Sequence, residues 1–532
     1  MQAVLLKSGE VEAESRQWRL IAALADPRRY PQPVSRVQHL ETHISHVLLA
    51  GNFAYKIKKP VSLGFLDFSD LHARRYYCEE ELRLNRRTAP GLYLEVIPIC
   101  GSEDEPILNG NGTAIEYALK MRRFSQNALF SKLLERGELT DEHIESLAAN
   151  IAEFHGEIEI ARDADPFGAP RLIEQPARQN FDQLARLLPD RSEELEQLRR
   201  CTERAHSDLA KIFSERKRQG FIRECHGDLH LDNITLFDGE ITLFDCVEFN
   251  VELHWIDVMS DVAFVMMDLC VRGQDDFAFR LLNAYLEHTG DYSGVAVLRY
   301  YLVYRALVRA KVMALRDARQ EAISAYLSLA RRLAFAAHPA LIITHGVSGS
   351  GKSALAQSLL EDLAAIRVRS DVERKRLFGF GRRAATASLL AQGLYSSDST
   401  VKTYDRLEQL ARDVINAGFP VVVDAANLKR AQRDRFRNLA AALAVPFVIL
   451  DCRAPTEALR ERIARRADAG SDPSEADLSV LEHQFATREP LSPDELSSAV
   501  VFESGNDWKQ QLFALKSRLG LSGEEREPIG NL

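Results

Sequence analysis

Residues 346–353 read Gly-Val-Ser-Gly-Ser-Gly-Lys-Ser, and they sit between a short β-branched run at 340–344 and a helical pattern from Ser353 to about Ala365. This order constrains the fold more than any other stretch. A strand must deliver the chain into a loop whose glycines let backbone N–H groups surround an anion, and a helix must start behind it with its positive end on the same anion. In such a loop Gly346, Gly349, Ser350 and Gly351 form the cradle, Lys352 reaches the terminal phosphates of a nucleotide, and Ser353 ligates magnesium. Apolar strands follow at 366–369, 420–424, 446–451 and 499–502, separated by helical stretches. The alternation predicts an α/β domain with a parallel sheet flanked by helices.

The first half is patterned differently. Between Val34 and Met121 short apolar runs at 46–50, 53–57, 92–99 and 114–121 are broken by Gly51-Asn52, Pro60 and 109–112, which predicts an antiparallel sheet. One helix interrupts it over about 70–87, closed by Ala89-Pro90-Gly91. From Ser131 to about Ala337 the period is helical, except near 221–245, where short strands surround His226-Gly-Asp-Leu-His-Leu-Asp-Asn233 and Phe244-Asp245. A small β-rich lobe therefore precedes a large helical one, an α+β arrangement. Arg305, Arg309 and Lys311 follow one another along a helical stretch and read as a solvated or ion-paired face.

At 532 residues the chain exceeds what one hydrophobic core organises. The patterning divides it into an N-terminal helical extension at 1–29, a domain at 30–337, a second at 338–519 and a flexible tail at 520–532. The formal charge of −9 gives no general attraction to nucleic acid, so such a partner would need a local basic patch. No apolar run reaches the roughly 18 to 20 residues of a membrane span, and the short run at 3–6 is too brief for a signal core. Seven cysteines without a Cys-x-x-Cys pair fit a reduced cytoplasm.

The His-Gly-Asp-x-His-x-x-Asn form, with Asn233 five residues after Asp228 and Asp245 after a hairpin turning at Asp238-Gly239, resembles the aminoglycoside phosphotransferase and choline kinase branch of the protein-kinase-like fold. The resemblance spans about 30–335 and implies a bilobal domain. It casts Asp228 as the catalytic base and Asn233 and Asp245 as magnesium ligands. Lys56 or Lys58 is the phosphate-contacting lysine it implies, with Lys56 favoured because Ala54 precedes it. Glu81, or its neighbour Glu80, is the glutamate that pairs with that lysine. Two departures stand out: no Gly-x-Gly-x-x-Gly loop precedes the lysine, leaving 42–45 to cover the phosphates, and Asp245-Cys-Val replaces Asp-Phe-Gly. Asp257 and Asp261 read as structural ties for the catalytic loop.

Residues 340–518 resemble P-loop kinases of the AAA type, among them polynucleotide kinase and zeta-toxin-like kinases. The features are Asp371 nineteen residues after Lys352, an apolar strand ending in Asp424, and Arg462 and Arg466 one helical turn apart. The resemblance implies that Asp371 is the base for an acceptor hydroxyl and that Arg374 holds a phosphate. It places Asp424 near magnesium and makes Arg462 and Arg466 lid cations on the transferred group.

These readings converge on a bifunctional, cytoplasmic, ATP- and Mg2+-dependent phosphotransferase that moves the γ-phosphoryl group to small-molecule hydroxyls at two sites. Two alternatives stay open. The P-loop half could be an ATPase switch for a single kinase, or a 5′-hydroxyl polynucleotide kinase, against which the acidic charge and the lack of an aromatic-basic stretch weigh.

Overall fold

The structure is a computed structural model that describes residues 8–62, 66–316, 318–335, 337–381, 397–469, 478–503 and 508–521. It divides into two compact units, one comprising Met1–His143, Glu153–Leu172 and Arg216–Phe264, the other Ile144–Ala152, Ile173–Glu215 and Val265–Leu532. The P-loop region thus shares its unit with most of the helical stretch that precedes it.

The first unit is built on an antiparallel sheet of β1 (Val37–Glu41), β2 (Ser45–Ala50), β3 (Phe53–Lys58), β4 (Tyr93–Gly101), β5 (Pro106–Leu108) and β6 (Ala114–Arg122), in the order β1-β2-β3-β6-β4-β5. Two residues, Gly51 and Asn52, join β2 to β3, so register is set locally and the alternation in β3 places Lys56 and Lys58 on one face together with Ala54, opposite Tyr55 and Ile57. The helix Leu71–Asn85 is capped by Asp70, whose carboxylate accepts from the Ala73 N–H. It buries Cys78, Glu81, Leu84 and Asn85, a stripe at helical spacing that carries Glu81 inward. The N-terminal helix Ser8–Leu24 adds Leu20, Ile21 and Leu24 to a core with Leu48, Tyr55 and Ile97.

Further along, β7 (Ile222–Glu224) precedes the hairpin of β8 (Ile234–Phe237) and β9 (Glu240–Leu243), which turns at Asp238 and Gly239 with φ of 52° and 89°. Positive φ at both central residues is what an Asp-Gly hairpin turn requires. One strand falls outside the expected 221–245 region: β10 (Trp255–Asp257) pairs antiparallel with β7. Three residues are too few for periodicity to register, and only the long-range pairing makes them a strand.

In the second unit β11 (Leu341–His345), β12 (Ile366–Arg369), β13 (Val421–Asp424), β14 (Phe447–Arg453) and β15 (Ala499–Glu503) form a parallel sheet in the order β12-β13-β11-β14-β15. All five strands lie where the apolar runs predict them. Helices including Lys352–Leu363 and Lys509–Arg518 pack Leu359, Leu360 and Leu515 on the sheet residues Ile342, Val422 and Leu450. On the helix Val295–Leu315 the solvated half of the reading does not hold for Arg305, which is buried with its guanidinium over the Tyr304 ring, and Lys311 donates to Asn180 Oδ1 at 2.6 Å. Regular spacing on an otherwise apolar helix places such side chains among neighbouring helices, where polar groups need partners. No described helix is long and apolar enough to cross a membrane.

Candidate functional sites

In the first unit β3 and the helix Leu71–Asn85 meet in a chain of buried charges. Lys56 Nζ lies 2.7 Å from Glu81 Oε1 and 2.7 Å from Asp245 Oδ1. Lys58 Nζ lies 2.7 Å from Glu81 Oε2 and pairs on its other side with Glu248. Glu81 therefore bridges both lysines, and Lys56 is the one of the two that reaches Asp245. Glu80 instead joins Arg83 toward the surface. Burial works against the charge on Lys56, but Asp245 and Glu81 outweigh it and hold the ammonium well above its ordinary pKa. Burial likewise works against ionised Glu81, and the two ammonium groups overcome it, lowering the carboxyl to about 2. Glu248, with one ammonium and the Glu81 charge nearby, is raised by burial.

The loop carrying Asp228 is held by its own backbone. Gly227 has φ +87°, and a Cβ there would sit 2.6 Å from the Leu253 carbonyl oxygen, so glycine is needed on both counts. Asp261, fully buried on the helix Val258–Val271, accepts from the His226 and Gly227 N–H groups at 2.8 and 2.9 Å. This is the tie expected of it. Asp257 instead forms a two-pronged buried pair with Arg216 at 2.7 Å, and its strand β10 pairs with β7, which leads into the loop.

Asn233 Nδ2 donates to the Asp228 carbonyl at 2.9 Å and to its Oδ2 at 3.2 Å, while His230 Nε2 lies 3.4 Å from the same Oδ2. The Phe244 N–H donates to the Asn233 carbonyl at 3.0 Å, which brings the Asn233 segment beside Asp245. Asp245 itself adopts φ +63°, stabilised by its N–H on Tyr93 Oη at 3.1 Å and by the Cys246 N–H on Asn85 Oδ1 at 2.9 Å. The structure so gathers Lys56, Glu81, Asp228, Asn233 and Asp245 from four separate stretches. Sequence reasoning missed Glu248, Tyr93 and Asn85. Glu248 carried a faint signal, being an acid three residues beyond Asp245 in an apolar stretch.

In the second unit β11 delivers the glycine-rich loop. Gly346, Gly349 and Gly351 have φ of 144°, 82° and 92°, and a Cβ on Gly346 would lie 2.6 Å from the Cys452 carbonyl oxygen and 2.7 Å from Ser350 Oγ. Lys352 Nζ donates to the Val347 carbonyl at 2.8 Å, folding the lysine over its own loop. Two buried oxygens at the site, Ser350 Oγ and Asp424 Oδ2, have no hydrogen-bond partner among the described residues. Arg369 Nε forms a long ion pair with Asp424 Oδ2 at 3.7 Å, and Arg367 Nη1 donates to the Ser353 carbonyl at 3.3 Å.

Asp371 and Arg374 lie half-buried on the helix Ser370–Leu377, directly after β12. Arg462 projects from the helix Thr456–Ala469 and donates to the Gly349 carbonyl at 3.2 Å, so the arginine expected over the phosphates already touches the loop. Arg466 belongs to the same helix, but its side chain lies outside the described residues. A contact without sequence signal is Gln484, whose Oε1 accepts from the Ser348 N–H at 2.7 Å.

Comparison with known proteins matches residues 125–298 to the phosphotransferase enzyme family and residues 341–491 to an AAA domain. The Mycobacterium tuberculosis protein Rv2004c is 30% identical over 441 residues, covering 81% of this chain and 86% of its own length. Among solved structures, choline kinase from Cryptosporidium parvum Iowa II is 11% identical with a TM-score of 0.37, covering 65% of this chain and 98% of that one. The Mycobacterium tuberculosis APS kinase CysC, solved with AMPPNP and APS, is 20% identical with a TM-score of 0.25, covering 35% of this chain and 99% of its own. The chain belongs to the family of Rv2004c and is a kinase-type enzyme in which a phosphotransferase domain precedes a P-loop domain.

Proposed function

We propose that this chain is a cytoplasmic, bifunctional phosphotransferase that moves the γ-phosphoryl group of ATP to hydroxyl groups of small molecules at two nucleotide sites. The observation that carries the reading is the gathering of Lys56, Glu81, Asp228, Asn233 and Asp245 in one unit, together with the presence in the other unit of a glycine cradle ending in Lys352 and Ser353. At the first site Asp228 accepts the proton of the acceptor hydroxyl as its oxygen bonds to the γ-phosphorus and the bond to the ADP oxygen breaks. Lys56, fixed by Glu81, lies over the phosphates. At the second site Asp371 takes the base role, Arg374 holds a phosphate of the acceptor, and Arg462 with Arg466 offsets charge on the transferred group.

The donor sets fit magnesium, a hard cation that prefers oxygen ligands. Asn233 turns its amide nitrogen to Asp228, which leaves its amide oxygen, with Asp245, for the ion at the first site. At the second, Ser353 and Asp424 would hold it, and Asp424 Oδ2, which has an ion pair to Arg369 but no hydrogen bond among the described residues, is the kind of buried oxygen that a cation or its water satisfies. Bound there, magnesium supplies charge neutralisation on the nucleotide phosphates.

The test uses the full chain with labelled ATP, magnesium and a panel of hydroxylated metabolites, alongside Asp228→Ala and Lys352→Ala. Each substitution should remove one phosphotransfer and spare the other. Neither substitution affecting nucleotide binding or consumption would dismiss the reading, and label appearing on 5′-hydroxyl oligonucleotides would redirect it to polynucleotide.

A further inference from the structure

Strand β12 lies at the edge of the parallel sheet, yet its outer side is closed. The helix Asp275–Thr289, within the phosphotransferase match at 125–298, presents Asn283, whose Nδ2 donates to the Ala365 carbonyl at 3.0 Å while its Oδ1 accepts from the Arg367 N–H at 2.7 Å. One side-chain amide thus substitutes for a neighbouring strand. Tyr292 adds its hydroxyl to the Arg367 carbonyl at 3.2 Å.

One turn along that helix, the buried Glu287 holds two arginines of β12 that the period-2 alternation places on one face. Its Oε1 is 2.6 Å from Arg367 Nη2 and its Oε2 is 3.5 Å from Arg369 Nη1. Each arginine then continues to a different wall of the P-loop site. Arg367 Nη1 donates to the Ser353 carbonyl at 3.3 Å, and Arg369 Nε forms a long ion pair at 3.7 Å with Asp424 Oδ2, which has no hydrogen-bond partner among the described residues. Ser353 and Asp424 are the two residues assigned above to magnesium, and the same carboxylate orients the cations behind both.

We infer that Glu287, a residue of the phosphotransferase domain, is a positioning residue for the magnesium side of the P-loop site, acting on Ser353 through Arg367 and on Asp424 through Arg369. The inference rests on the P-loop half of the proposed function. Arg369 already pairs with Asp424 at 3.7 Å, and without its anchor on Glu287 it can tighten onto the carboxylate where the cation would bind. The P-loop site is therefore incomplete when cut from the helices before it, although its sequence motif is whole.

The experiment titrates ATP calorimetrically into the full chain carrying Asp245→Asn, which removes a magnesium ligand of the first site so that the remaining Mg·ATP binding reports the P-loop, with and without magnesium, and then adds Glu287→Gln. Loss of anchoring should raise the half-saturating magnesium concentration about tenfold, as removal of partners behind metal ligands commonly does, and leave magnesium-free ATP binding unchanged. Arg369→Gln should shift the same quantity non-additively with Glu287→Gln, because the two share one path. Asn283→Ala, which opens the strand edge without changing charge, should lower Tm but not the magnesium requirement. A magnesium requirement within about twofold of the parent in Glu287→Gln, or an equal shift in Asn283→Ala, would overturn the inference. Lys352→Ala in the same background separates the cases: if it leaves Mg·ATP binding intact, the P-loop reading itself has failed.

Discussion

Lys56 and Lys352 are both assigned to nucleotide phosphates, yet Lys56 is clamped at 2.7 Å between the carboxylates of Glu81 and Asp245, whereas Lys352 rests on the carbonyl of Val347, five residues away in its own loop. The first site is assembled from side-chain charges that converge from distant stretches, and each buried charge depends on its partner. The second is assembled from contiguous backbone, with glycines opening the N–H groups and a helix start behind them. Residues of equivalent role should therefore carry unequal structural weight: removing a charge in the first unit threatens the fold, and removing one in the P-loop threatens mainly the ligand.

The largest expected effect tests whether the sites work independently. Asp228→Ala should reduce one phosphotransfer by about 10² to 10⁴-fold, the usual worth of a positioned base, with the other within experimental error in initial-rate assays. Next comes the contrast in stability. Lys58→Met leaves Glu248 and Glu81 buried with fewer partners and should destabilise the chain by about 3 to 5 kcal/mol, read as a shifted denaturation midpoint. Lys352→Met should shift it by less than about 1 kcal/mol. Equal losses from the two substitutions would erase the distinction.

A smaller effect concerns the glycines. Gly227→Ala meets the Leu253 carbonyl and Gly346→Ala the Cys452 carbonyl, each at 2.6 Å and at positive φ, so each should cost about 1 to 3 kcal/mol. Gly346→Ala should in addition abolish nucleotide binding at the P-loop, measured by fluorescent-nucleotide titration, while Gly227→Ala leaves that signal in place.

The smallest effect is on pH. Glu81 is depressed from 4.5 to about 2, so its share of stability is present above 4.5 and is lost as pH falls through about 2. Glu248 is raised, so its ionisation opposes folding as pH rises and offsets part of that gain. Melting curves between about pH 5 and pH 2.5 should fall less steeply for Glu81→Gln than for the parent. Superimposable slopes would show that the network adds nothing to acid stability.

Local chemistry made much of this legible. The five parallel strands, the Asp238-Gly239 hairpin, the helix over about 70–87 and the glycine loop each follow from residues near one another in the chain, because periodicity and turn φ angles act over a few positions. The first site was legible where spacing is local, as with Asp228 and Asn233. It was ambiguous where partners are remote: Lys56 against Lys58 and Glu81 against Glu80 differ only in which pairs with Asp245 and which faces solvent. Strand β10, Glu248 and the burial of Arg305 had no comparable local signature.

What the amino-acid order determined by itself is a glycine cradle and the loop carrying Asp228 and Asn233, because both are short segments whose backbone conformation follows from their own residues. Tertiary structure alone decided which lysine reaches Asp245, which acid anchors both, and that Glu287 stands behind Ser353 and Asp424. Those outcomes depend on buried charges finding partners between 23 and 190 residues away in the chain, and that requirement is met only when the elements pack.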